Sequence, residues 1–246
     1  MNRQARVCNR IGVLVPFTNT NLEPDIMLMR PPDCSLHFQR TGGYGADEIP
    51  GSDQMAELGE FDISHDLSMI AGARPDIVLY GCTSATLTHG PEFDRNLAME
   101  IEKGSGAASL TAAGSLVAAI QALEIYRVGF SSPYVSAIND MAVNFLMQND
   151  IKIVKRADIG PDLSSYGQGE LTPDEVYHLA LKADDPKAEA IVLSCTDMRS
   201  VEVIEKIETT LDKPVVTSNQ AMMFCLYRKL ALPRKPNLPG RLFDCL

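Results

Sequence analysis

Two continuous apolar runs, Asp76–Tyr80 (DIVLY) and Ala190–Leu193 (AIVL), each stop abruptly at a cysteine followed by a hydroxyl residue. The first reads on as Gly81-Cys82-Thr83, the second as Ser194-Cys195-Thr196. A short apolar run bounded by polar turn residues is the pattern of a strand buried on both faces, which is the condition of strands in parallel sheets covered by helices. This feature therefore restricts the chain to α/β architectures.

The rest of the chain agrees. Strands are expected at Arg10–Val15, Leu36–Arg40, Asp76–Tyr80, Arg127–Phe130, Ile151–Arg156, Ala190–Leu193 and Pro214–Thr217. Helical spacing is read at Asn21–Met29, Met55–Ala73, Glu92–Lys103, Ser136–Gln148, Pro173–Ala183 and Val201–Thr210. Strands alternating with helices give parallel sheets. The order also repeats. RIGVLVP from Arg10 parallels RVGFSSP from Arg127, IVLYGCT parallels IVLSCT, and short strands ending at Thr111 and Thr217 follow at comparable offsets. A duplicated unit is expected: two similar doubly wound lobes related by a pseudo-twofold axis. Residues 1–112 with 218–246 would form one lobe and 113–217 the other, the active site lying in the cleft between them.

Composition narrows the function classes. The 246 residues carry a formal net charge of −10 with the acids scattered, which disfavours nucleic acid and anionic membrane as partners. No apolar run approaches a bilayer span, and the polar N-terminus has no signal-peptide pattern, so a cytoplasmic location is expected. The six cysteines form no C-x-x-C pair and the four histidines are far apart, so neither a metal site nor a disulfide framework is expected.

Ligands of open α/β sheets bind outside the carboxyl ends of the strands. Four loops occupy that place: Pro16-Phe17-Thr18-Asn19, Gly81-Cys82-Thr83-Ser84, Pro133-Tyr134 and Ser194-Cys195-Thr196. A lone cysteine after an apolar strand is usually a small buried hydrophobe. Two at equivalent places in similar halves read as a catalytic pair, with loop N–H groups expected to lower the thiol pKa values. Asp197 and Arg199 either tune the second thiol or form an exposed ion pair. Thr217-Ser218-Asn219 is a further candidate to line the cleft. The glycine-rich stretch Thr41–Gly45 matches no phosphate-binding fingerprint and reads as a flexible loop that covers the site.

These residues resemble the superfamily of aspartate and glutamate racemases, within it the branch of maleate cis-trans isomerase and arylmalonate decarboxylase, from Arg10 to about Leu230. The resemblance implies a cofactor-independent enzyme with Cys82 as nucleophile and Cys195 as proton donor and acceptor. It implies Asn19, Thr83, Ser84, Tyr134 and Thr196 as ligands of a small carboxylate substrate, and a homodimer or homotetramer. The decarboxylases have glycine where Cys82 stands. The isomerases are more apolar after the first cysteine, and their substrate-binding asparagine falls near Asp162. Several chemistries remain open: cis-trans isomerisation, two-base racemisation of an amino acid or hydantoin, arylmalonate-type decarboxylation, and carboxylate binding without catalysis.

Overall fold

The structure, a computed structural model, describes residues 8–42 and 48–246. Among the described residues eight strands form two four-stranded parallel sheets. The first holds β1 (Asn9–Pro16), β2 (Cys34–Thr41), β3 (Ile77–Tyr80) and β4 (Ala108–Thr111) in the order β2-β1-β3-β4. The second holds β5 (Arg127–Ser132), β6 (Lys152–Asp158), β7 (Ala190–Leu193) and β8 (Val215–Thr217) in the order β6-β5-β7-β8. One topology occurs twice in the same sequence order, which is the duplication that the repeated segments imply. The two cysteine-preceding strands, β3 and β7, are buried at every position, as their uninterrupted apolar composition requires.

Register explains how distant loops meet. Leu14 of β1 lies beside Tyr80 of β3, so Pro16 and Gly81-Cys82 emerge together. Ser131 of β5 lies beside Leu193 of β7, so Pro133-Tyr134 and Ser194-Cys195 emerge together. In each sheet the chain winds one way from the first strand and the other way at the third. These positions are the topological switch points, where a crevice opens at the carboxyl ends.

Two helices fill the space between the sheets. Ala112–Ala122 follows β4, Ser218–Lys229 follows β8, and they pack on one another. The second is buried from Ser218 through Tyr227 and also packs on the helix Leu22–Met29, where the Tyr227 hydroxyl donates to the Met29 carbonyl at 3.1 Å.

Two helices differ from the expectation. Met55–Ala73 is not continuous but divides into Ser52–Glu60 and Ser64–Ala71. Phe61 takes an extended conformation and Asp62 Oδ1 accepts the Ser64 N–H at 2.9 Å, a local bond that competes with the helical ladder. Val201–Thr210 opens with a 3-10 turn, Val201–Val203, before the helix Ile204–Leu211. Gly43 to Gly45, in the stretch expected to cover the site, lie outside the described residues. Among the described residues no helix is long and apolar enough to cross a membrane.

Candidate active site

The four switch-point loops surround a cavity of about 40 Å³. Cys82, Ser84, Tyr134, Cys195, Thr196 and Asn19 all line it, with Pro16, Met55 and Leu58 forming an apolar wall. Both thiols are buried, Cys82 at 5% and Cys195 at 3% exposure.

Tyr134 joins the two halves of the site. Its hydroxyl is in hydrogen-bonding contact with both Cys195 and Ser84. Ser84 Oγ in turn lies 3.7 Å from Cys82 Sγ. The sequence Cys82–Ser84–Tyr134–Cys195 is thus a continuous chain of polar contacts across the cleft.

Asn19 and Thr196 hold the loops in register. Asn19 Oδ1 accepts the N–H groups of Asn21 at 3.1 Å and Leu22 at 2.9 Å. Its Nδ2 donates to Thr196 Oγ1 at 3.0 Å, and Thr196 Oγ1 donates to the Gly81 carbonyl at 2.8 Å. Three loops from both halves are thereby tied by one buried chain. The one hydroxyl hydrogen of Thr196 is committed within it, and Asn19 keeps one amide hydrogen for the cavity. Thr83 is elsewhere: its hydroxyl donates to Ser218 Oγ at 3.0 Å and does not line the cavity, so of the Thr83-Ser84 pair Ser84 alone lines it.

The thiols are not depressed as the loop N–H groups led one to expect. Burial pushes the Cys82 thiol up from its ordinary 9.0, against the N–H groups of Ala85 and Ser84 and the Ser84 hydroxyl. Burial likewise pushes Cys195 up to about 12, and the Asp197 carboxylate adds to it, while the Asp197 N–H (3.3 Å from Sγ) and the Tyr134 hydroxyl oppose. Desolvation of a thiolate here outweighs the hydrogen bonds offered to it. Burial therefore favours the thiol form of both groups at neutral pH.

Two further polar residues line the cavity that sequence reasoning did not place there. Ser165 and Gln168 come from the short helix Ser165–Gly169, in the polar segment after β6, whose composition carries no distinguishing signal. Asp162, in the same segment, is exposed and does not line the cavity. The carboxylate that does is Asp197, 8% exposed, with its pKa raised by burial to about 6. Arg199 pairs with Glu202 at 2.8 Å on the surface instead. Thr217 caps its helix by accepting the Gln220 N–H, and Asn219 lies behind the cavity, donating to Asp25 and to the Thr196 carbonyl. Among the described residues no group of three or more His, Cys, Asp or Glu is arranged to hold a metal ion.

The family model for arylmalonate decarboxylase matches residues 11–243. The chain belongs to the arylmalonate decarboxylase family. Within its wider relations, maleate isomerase of Nocardia farcinica is 28% identical over 244 residues, covering 95% of this chain and 94% of that protein. Maleate isomerase of Pseudomonas putida is 25% identical over 240 residues, covering 94% of each. A solved Nocardia farcinica maleate cis-trans isomerase variant, carrying a covalently bound succinylcysteine intermediate, superposes with a TM-score of 0.85 at 23% identity, covering 96% of this chain and 98% of that one.

Proposed function

We propose that the protein is a cofactor-independent isomerase of a small carboxylate, working through Cys82 and Cys195. The observation that carries this is the meeting of two buried thiols, from equivalent loops of a duplicated fold, at one small cavity linked by Ser84 and Tyr134. The maleate isomerase relatives, similar over nearly the whole chain, support cysteine-based isomerisation.

The arrangement serves two related reactions. In cis-trans isomerisation the Cys82 thiol releases its proton to solvent, the thiolate adds to one alkene carbon and Cys195 protonates its neighbour. The former double bond is then single and rotates; Cys195 takes the proton back and the carbon–sulfur bond breaks. In racemisation one thiolate removes the α-proton, the electron pair is held by the hydrogen-bonded carboxylate, and the other thiol protonates the opposite face. Ser84, Tyr134 and the remaining amide hydrogen of Asn19 are the neutral donors for a substrate carboxylate. Thr83 and Thr196 act by holding the loops, through Ser218 and through Asn19 with Gly81.

The lobes are taken as 1–112 with 218–246, and 113–217, a division supported by the sheet memberships and by the packing of Ser218–Lys229 on Leu22–Met29. We further propose a cytoplasmic enzyme, in keeping with its free thiols, that assembles as a homodimer or homotetramer. The test is replacement of each thiol by serine, assayed on maleate, substituted maleates, amino acids, hydantoins and arylmalonates. Loss of turnover in both variants is expected. Full activity of both on a substrate the parent accepts would overturn the two-thiol mechanism.

A further inference from the structure

This inference rests on the two-thiol reading and concerns what aligns the thiols. We propose that Ser218 and Asn219 are positioning residues for the reaction: from the first turn of one helix, Ser218 holds the residue after Cys82 and Asn219 holds the residue after Cys195.

The contacts are direct. Thr83 Oγ1 donates to Ser218 Oγ at 3.0 Å. Asn219 Nδ2 donates to the Thr196 carbonyl at 2.9 Å and to Asp25 Oδ2 at 2.7 Å. Thr83 and Thr196 each follow a thiol directly in the chain. Ser218 and Asn219 open the helix Ser218–Lys229, which is buried from Ser218 through Tyr227 and packs on both Ala112–Ala122 and Leu22–Met29. Loops from the two different sheets are thus fastened to one buried turn, and the placement of one sulfur against the other follows from it. Neither Ser218 nor Asn219 lines the cavity, so both act through the thiol loops.

The fold alone does not call for these polar groups, and the duplication supplies the comparison. Thr217 ends β8 and caps the helix after it, as Thr111 ends β4 and caps Ala112–Ala122. Ser218 and Asn219 therefore correspond to Ala112 and Ala113. Alanine suffices to start a buried helix there, and it buries no polar side-chain atom. The second half instead buries a hydroxyl and a carboxamide at 0% exposure, and Asn219 Oδ1 has no hydrogen-bond partner among the described residues. An unmet buried acceptor costs stability. What these side chains reach, and alanine does not, is the pair of residues after the thiols. Asp25 sets the direction of the amide: it accepts one Nδ2 hydrogen and leaves the other for the Thr196 carbonyl.

The experiment reads each thiol separately. Rates of alkylation by iodoacetamide at Cys82 and at Cys195 are followed by peptide mapping in the parent, Ser218→Ala, Asn219→Ala, Thr83→Val and Thr83→Ser. Loss of one neutral hydrogen bond shifts the opening of a loop about fivefold. Ser218→Ala should therefore speed alkylation of Cys82 about fivefold and leave Cys195 unchanged, and Asn219→Ala should do the reverse. Thr83→Ser, which keeps the hydroxyl, should stay at the parent rate. Thr83→Val combined with Ser218→Ala should be no faster than either alone, because both remove the same bond. On a substrate that the parent accepts, kcat should fall about tenfold while KM holds, since neither side chain touches the ligand. A change that is equal at both thiols, or absent at Cys82 in Ser218→Ala, marks a general loss of stability and overturns the proposal, as does a raised KM with kcat unchanged. Should Asn219→Ala not fold, Ser218→Ala and Thr83→Val decide alone. Turnover surviving serine replacement of both cysteines removes the two-thiol reading instead, a result on which the alkylation rates have no bearing.

Discussion

Asp25 offers a direct test of the electrostatics behind the cleft. It lies in the helix Leu22–Met29, 8% exposed, and its Oδ2 accepts the Asn219 Nδ2–H at 2.7 Å. Burial raises its pKa from 3.8 to about 7; the charges of Glu202 and Asp197 add to this, while Asn219 and Arg199 oppose it. An acid held protonated in the fold but ionised in the unfolded chain contributes stability that is fully present below about pH 4. That stability is lost as pH rises through 7. The interval of about three pH units corresponds to ~4 kcal/mol across the whole range, of which about 3 kcal/mol falls between pH 5 and pH 7. Asp25→Asn keeps the volume and an acceptor for Asn219 but has no charge to bury. Its stability relative to wild type should therefore grow by about 3 kcal/mol from pH 5 to pH 8. For a chain of this length that is a relative gain of roughly 6–12 °C in Tm, measured by calorimetric or circular-dichroism melts at both pH values. A difference in Tm that is the same at pH 5 and pH 8, or that shrinks with rising pH, would refute the assignment of a buried neutral carboxyl.

Tyr134→Phe removes the hydroxyl that contacts both Ser84 and Cys195; turnover should fall by roughly 100-fold while Tm changes by only a few degrees. With its thiol pKa near 12, Cys195 should be alkylated by iodoacetamide about tenfold faster for each unit of pH from 7 to 9. At fixed pH, Asp197→Asn should speed that reaction, because it removes a negative charge that holds the proton on sulfur; peptide mapping of the labelled cysteine reads both effects. Gly129→Ala should destabilise by more than ~2 kcal/mol in urea melts, since the new Cβ would sit 2.2 Å from the Ala183 carbonyl oxygen. Its counterpart Gly12→Ala should cost less, because the atom met there, Ile70 Cγ1 at 2.8 Å, belongs to a side chain that can turn aside.

The strands were legible because central parallel strands are apolar from end to end. Ala190–Leu193 was delimited to the residue, and the repeat of IVL before each cysteine carried the duplication. The two helices between the sheets were not. Ala112–Ala122 and Ser218–Lys229 are buried nearly all round, so they lack the polar face from which helical period is read. The break at Phe61–Ile63 was hidden for the opposite reason: apolar spacing persists across it, and a single Asp62–Ser64 bond interrupts the helix. In the site, the thiols and Tyr134 were placed by strand ends. Thr83 was not, because a hydroxyl beside a catalytic residue can turn either to the ligand or to a neighbour, here Ser218. Ser165 and Gln168 reach the cavity from a segment with no periodic signal.

Duplication explains why there are two thiols, but not why they differ. Cys82 is followed directly by the helix Thr83–Leu87, and it has the N–H groups of Ser84 and Ala85 and the Ser84 hydroxyl to favour its thiolate. No carboxylate contributes to its shift. Cys195 opens a turn instead, and the residue two places on is Asp197, which raises its pKa. Equivalent positions have thus acquired different electrostatic partners: the Asp197 carboxylate favours the proton on Cys195, and no such charge acts on Cys82. Groups whose environments push their pKa values apart divide into base and acid. For addition to an alkene that order suffices in both directions, because Cys82 is always the nucleophile. A racemase must run with either thiol as base, and the asymmetry would then favour one enantiomer's exchange.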